Sequence, residues 1–170
     1  MYYAATNLSD RLCAARLMVH QGDDVHRAEV LEHFFDRWQS ENLVVNQWFV
    51  MQATRPSANC VSDVTALTHH AAFDWRNPNK VRSLISAFAG ANPTAFHALD
   101  GGGYRLLGDA VRRLQSDNPQ IAARMLAPMT RWRRYDHGQA VMRGELESIA
   151  ALEGLSQDVY EVVNRSLSDS

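Results

Sequence analysis

The sequence predicts an all-α fold, an α-solenoid or superhelix of antiparallel helix pairs (armadillo/HEAT-like), with about nine or ten helices in a single helical-repeat domain over residues 1–170. Three features point there. Apolar residues recur at helical spacing and almost never alternate as they would in a half-buried strand. Asn-Pro pairs and glycines cut the pattern into pieces of about three turns with short connections, which sets sequential helices antiparallel. The composition, 46% hydrophobic and 21% charged, supplies one core and a polar exterior. No sequence repeat of fixed period is visible, so the pairs would be structural repeats with diverged sequences; a compact irregular bundle is the alternative.

Each element has its own signal. Leu8, Leu12, Ala15 and Val19 stripe the first helix, behind an Asn7 cap and ahead of a Gly22 stop. Val25, Ala28, Leu31, Phe35 and Trp38 stripe the second. Val44, Val45, Trp48 and Met51 stripe the third, which ends before Pro56 because a residue preceding proline is pushed out of the α region. A fourth runs from about Ser62 to Thr68. Asn77-Pro78, Asn92-Pro93 and Asn118-Pro119 each join a capping side chain to a first-turn proline, where no amide donor is lost. Val81, Leu84, Ile85 and Phe88 follow the first pair, and a short turn holds Phe96 before the break at Asp100-Gly101-Gly102-Gly103. Tyr104, Leu107, Val111 and Leu114 stripe the next helix; Ile121, Met125 and Met129 stripe another, which Pro128 kinks or ends. Met142, Leu146 and Ile149 mark the penultimate helix. The last starts at Ser156, with Leu155 placed to staple onto Tyr160.

Composition excludes several function classes. Seventeen Lys plus Arg against nineteen Asp plus Glu leave a net charge of −2, so the field with which most nucleic-acid proteins hold phosphates is missing, and no nucleic acid is expected as a partner. No run reaches the roughly 18 to 20 apolar residues of a membrane span, so no membrane partner is expected either. Cys13 and Cys60 have no metal-ligand spacing and suit a reducing compartment. Residues 1–7 lack the features of a signal peptide, and a cytoplasmic location is expected.

Chemistry-bearing patterns are sparse. No HExxH, GxSxG or Ser-Lys motif occurs. His70 and Asp74 have i, i+4 spacing but no third or fourth ligand, and read as surface or capping residues; His33 with Asp36 is no better. His97 reads as a packed histidine donating to a backbone carbonyl. The glycine run reads as a sharp turn with positive φ, and the free amides of the helix after it leave room for a weak anion site. Arg131-Trp132-Arg133-Arg134-Tyr135 reads as a solvated helix end or a docking surface, being short and followed at once by Asp136. Gln120 and Arg124 share a helix face. Arg82 lies beside its stripe next to small Ser86 and Ala89; exposure to solvent is the default, and a guanidinium pointing into a groove is the alternative.

The segment NPNKVRSLISAFAGANPTAFHALDGGGY, residues 77–104, closely resembles the C-terminal domain of bacterial aminopeptidase N, the alanyl aminopeptidases of the M1 zinc metallopeptidase family. The resemblance extends to VVNQWFVMQATRPSANCVSDV, to NPQIAARMLAPMTRWRRYD and to the closing LEGLSQDVYEVVNRSL, and so covers essentially the whole chain. Lys80 stands where an arginine is frequent, and Gly102 where a polar residue is frequent. The resemblance implies a C-terminal fragment of a larger aminopeptidase whose preceding catalytic domain supplies HExxH, a further glutamate ligand, GxMEN and a tyrosine. None of these motifs occurs here, so the chain alone is expected to be inactive, with no catalytic residue, metal ligand or cofactor of its own; zinc would belong to the full-length enzyme. The implied partners are the catalytic domain of the same polypeptide and peptide substrates. By position in the motifs, Arg82, Gln120 and Arg124 would line the substrate chamber that the superhelix encloses. A free-standing helical-repeat interaction module is the competing function.

Overall fold

A computed structural model describes residues 1–168. α1 (Leu8–Gln21), α2 (Asp24–Trp38), α3 (Asn42–Ala53) and α4 (Cys60–Leu67) form the N-terminal half. α5 (Pro78–Val81) runs through a π turn (Arg82–Ser86) into α6 (Ala87–Ala91) as one rod. α7 (Pro93–Phe96), α8 (Gly102–Leu114), α9 (Pro119–Met125), a 3₁₀ segment (Met129–Arg134), α10 (Gln139–Ala150) and α11 (Gln157–Ser168) complete the chain. Counting α5, the π turn and α6 together gives ten α-helical rods, and the described residues contain no strand.

The helix ends are set by local chemistry. Asn7 accepts from the Asp10 amide at 2.9 Å and Asp23 from the His26 amide at 2.9 Å, each satisfying a donor that helix geometry leaves free. Gly22 closes α1 with φ −75°, so it is not there for a left-handed turn. Its amide bonds to the Met18 carbonyl, and any side chain would run into that oxygen. All three Asn-Pro pairs begin helices. Asn77 and Asn92 cap through their side chains, whereas Asn118 starts α9 through its backbone alone.

Sequential rods pack together: α1 on α2, α2 on α3, α3 on α4, α8 on α9 and α10 on α11. Second neighbours also meet, α1 with α3, α8 with α10 and α9 with α11, which stacks the pairs into the layered solenoid. The stripes of the π rod, α8 and α10 are buried as predicted. α2 differs. Val30 and Phe34 are fully buried there, while Val25 is 66% exposed, because α2 lies between α1 and α3 and its inward arc is centred elsewhere than the predicted stripe. Leu8 is likewise exposed at the first turn of α1. From α11, Val159 and Val163 reach the core, Leu155 packs against it, and Tyr160 stays exposed.

α4 starts at Cys60 rather than Ser62, and Asn92 shows why. This side chain is 2% exposed, and its amide nitrogen donates to Ala53 O (3.0 Å), Arg55 O (2.7 Å) and Cys60 Sγ (3.2 Å). Its oxygen accepts from the Ala95 amide at 3.2 Å. One residue therefore ties the end of α3, the start of α4 and the start of α7.

Candidate functional site

Arg82 opens the π turn, in which the Ala87 amide reaches back five residues to the Arg82 carbonyl. Single π turns inside α-helices are rare overall and are found frequently at functional sites. The Arg82 guanidinium is exposed and donates to Asn79 Oδ1 at 3.3 Å. Arg124 lies in the last turn of α9, also exposed. The two arginines wall one pocket of about 270 Å³ between the π rod and α9. Ser86 and Ala89 keep the near wall low, and Ile121, Met125 and Pro128 supply an apolar far wall. Arg124 stands on a ridge, since it also borders a cavity of about 540 Å³ beside Glu161 and Arg165 of α11. Gln120, one turn earlier on α9, is exposed and does not line the pocket.

Neither Arg82 nor Arg124 makes an ion pair among the described residues. Two unneutralised guanidiniums over apolar walls favour a ligand with carboxylate or carbonyl oxygens, which planar N–H donors grip in fixed geometry.

The other sequence candidates have structural partners. Residues 68–77 are turns, so His70 and Asp74 share no helix face. His70 accepts from the Ala72 amide, and its pKa lies below the ordinary value because it is partly buried. Asp74 accepts from Arg76, and His33 bonds to the Tyr2 hydroxyl. Gly101 has φ 68° as expected, but the N-terminus of α8 is not open to an anion: the Asp100 carboxylate already accepts from the Gly102 amide at 2.9 Å. His97 bonds to the Tyr104 hydroxyl at 2.9 Å rather than to a carbonyl, and stacks on Tyr135 with centroids 4.2 Å apart. In the basic cluster, Trp132 is buried and Arg133 donates to the Ser166 and Leu167 carbonyls. The cation thus meets a helix end, but that of α11.

Sequence reasoning passed over the site's depth. Arg131 and Tyr135 border a second depression with His97, a contact between distant segments that no spacing rule announces. Lys80, the single lysine of the chain, is 4% exposed, with its ammonium 5.6 Å from the Phe49 ring centroid. Burial holds its pKa below the ordinary value. Among the described residues no three His, Cys, Asp or Glu side chains converge as a metal set, and no helix is long and apolar enough to cross a membrane.

The family described as "Domain of unknown function (DUF3458_C) ARM repeats" matches residues 1–168. The chain is 42% identical over 167 residues to aminopeptidase N of Escherichia coli (strain K12), and 39% identical over 167 residues to aminopeptidase N of Haemophilus influenzae. Each match covers 98% of this chain and 19% of the relative, so the chain spans about a fifth of the length of these relatives. The crystal structure of Legionella pneumophila aminopeptidase A in complex with aspartic acid superposes with a TM-score of 0.90 at 31% identity, covering 97% of this chain and 19% of that one.

Proposed function

Because the chain belongs to the DUF3458_C family of ARM-repeat domains and corresponds to a domain of aminopeptidase N-like proteins, we propose that it is the non-catalytic C-terminal part of such an enzyme. In this reading it encloses the active-site chamber and positions peptides whose N-terminal residues are removed elsewhere in the polypeptide. The observation that supports it is the convergence of Arg82 and Arg124 on one pocket without a carboxylate neighbour. Zinc, in an enzyme of this class, supplies an activated water, and the described residues of this chain include no converging ligand set to hold it. A cytoplasmic location belongs to the same reading and is supported by two unpaired cysteines.

The residues here act by holding substrate. The guanidiniums donate to backbone carbonyls or the C-terminal carboxylate of a peptide beyond the bond being cut. Gln120, exposed on the same helix, meets longer substrates at the chamber edge. Contacts so far from the reacting atoms strengthen little in the transition state, so they lower KM more than they raise kcat.

Kinetics of the full-length enzyme test this. A short alanyl anilide carries no carboxylate, so Arg82→Ala and Arg124→Ala should leave its turnover nearly unchanged. For longer peptides, losing a charge-assisted hydrogen bond worth about 1.5 kcal/mol lowers kcat/KM about tenfold, mainly through KM. Equal kinetics for anilide and peptide in both variants, with folding and metal content intact, would refute the proposal.

A further inference from the structure

The Arg82/Arg124 pocket has a neighbour across Pro128. Ala89 and Pro128 also wall the depression of about 280 Å³ that His97, Arg131 and Tyr135 border. The two spaces lie side by side on that shared wall, Arg82 and Arg124 in one and Arg131 in the other, and the pair is termed the furrow. No Asp or Glu lines either part.

Four arginines elsewhere are neutralised by carboxylates: Arg27 pairs with Asp24, Arg76 with Asp74, Arg112 with Asp109 and Glu145, and Arg143 with Glu147. Arg82, Arg124 and Arg131 have no such partner among the described residues. Across the α9 ridge, the neighbouring cavity carries both Glu161 and Arg165. The cavities elsewhere on the molecule include Asp63, Glu161 or Asp109 beside their arginines, whereas these two depressions hold arginine with no carboxylate in the lining.

Packing fixes the Arg131 end. His97 is stacked on Tyr135 and bonded through Nδ1 to the hydroxyl of Tyr104, which is 1% exposed. Partial burial lowers the His97 pKa and favours the neutral ring. Stacking on Tyr135 and the bond to Tyr104 hold the ring in one orientation beside Arg131.

We infer that the His97, Arg131 and Tyr135 end of the furrow is a second anion subsite, taking a carboxylate on the downstream part of a long peptide substrate after Arg82 and Arg124 have held the nearer part. The inference rests on the reading that the Arg82/Arg124 pocket holds peptide. Its consequence is a length-dependent preference for acidic peptides, because a short peptide fills only the first pocket.

The test uses the full-length enzyme and two peptide series, alanine followed by one to eight glycines and ending in either aspartate amide or asparagine amide. The wild type should show a lower KM for the aspartate member only above a threshold length. Arg131→Gln should abolish that preference, a change of about two- to fivefold in KM, as expected for a partly solvated ion pair. Arg131→Glu should invert it and favour a lysine-terminated peptide. Equal KM for both series at every length, while Arg82→Ala and Arg124→Ala still raise KM for long peptides, would overturn the second subsite and leave the first pocket standing. No effect from any of the three arginines would overturn both. Loss of thermal stability in Arg131→Glu, with the aspartate preference unchanged, would overturn the inference by showing that another part of the polypeptide covers the furrow.

Discussion

Replacing Asn92 tests the tertiary joint that ties the end of α3, the start of α4 and the start of α7. Asn92→Ala removes one cap bond, two bonds to carbonyls and a weaker contact with Cys60 Sγ at once. The Ala95 amide loses its cap acceptor, a loss of about 1 kcal/mol at a helix start. The Ala53 and Arg55 carbonyls lose a shared donor in a site almost closed to water, at about 1 kcal/mol each when relaxation or water partly compensates. The sum is about 3 kcal/mol, a large fraction of the stability of a domain this size. Asn92→Asp separates the two roles. It keeps the cap acceptor but turns an oxygen toward two carbonyl oxygens, so at neutral pH it should be less stable than Asn92→Ala despite being nearly isosteric. The buried carboxylate favours its protonated form, which raises its folded-state pKa above the unfolded value. The folded state then binds more protons, so the Asp variant regains stability as pH falls from neutral toward 5. Urea denaturation of the 170-residue chain and both variants, followed by circular dichroism at pH 7 and pH 5, measures all of this. An Ala variant within 1 kcal/mol of wild type, or an Asp variant more stable than Ala at pH 7, would refute the role given to the Asn92 amide.

Two further outcomes follow from close packing and burial. Gly103→Ala would put a methyl within 2.9 Å of the Phe96 backbone and should lower the urea midpoint by the equivalent of at least about 2 kcal/mol; Gly144→Ala, in an open position of α10, should raise stability by about 0.5 to 1 kcal/mol. A colorimetric thiol reagent should label Cys13 rapidly in the native chain and Cys60 only on denaturation, because Cys13 is exposed while burial pushes the Cys60 thiol up to about 11.

Helix starts are legible in the sequence because an Asn-Pro pair carries its own geometry, and all three begin helices. Stripes are legible where a rod has one buried face, as in α8 and α10. The α2 stripe is legible in part: Leu31, Phe35 and Trp38 pack against the core, but contact with both α1 and α3 buries Val30 and Phe34 more deeply and leaves Val25 outside, which periodicity within one helix does not report. The π turn is invisible for a similar reason: Arg82–Ser86 holds ordinary helix-compatible residues, and the segment lies packed along α3. At the site, resemblance supplies Arg82 and Arg124, but their shared pocket is a tertiary fact. His97 is recognisable as a packed histidine, yet its true partner is a hydroxyl presented by the next long helix.

Lys80 has a practical consequence. With every other basic side chain an arginine or a histidine and the one lysine folded over Phe49, the native surface offers amine-directed reagents almost no side-chain target. Succinimidyl dyes and amine crosslinkers will therefore pass over this folded domain rather than scatter labels across it. A lysine-specific protease will cut only after the core around α3 has opened, so cleavage at residue 80 serves as a clock for unfolding of the N-terminal half.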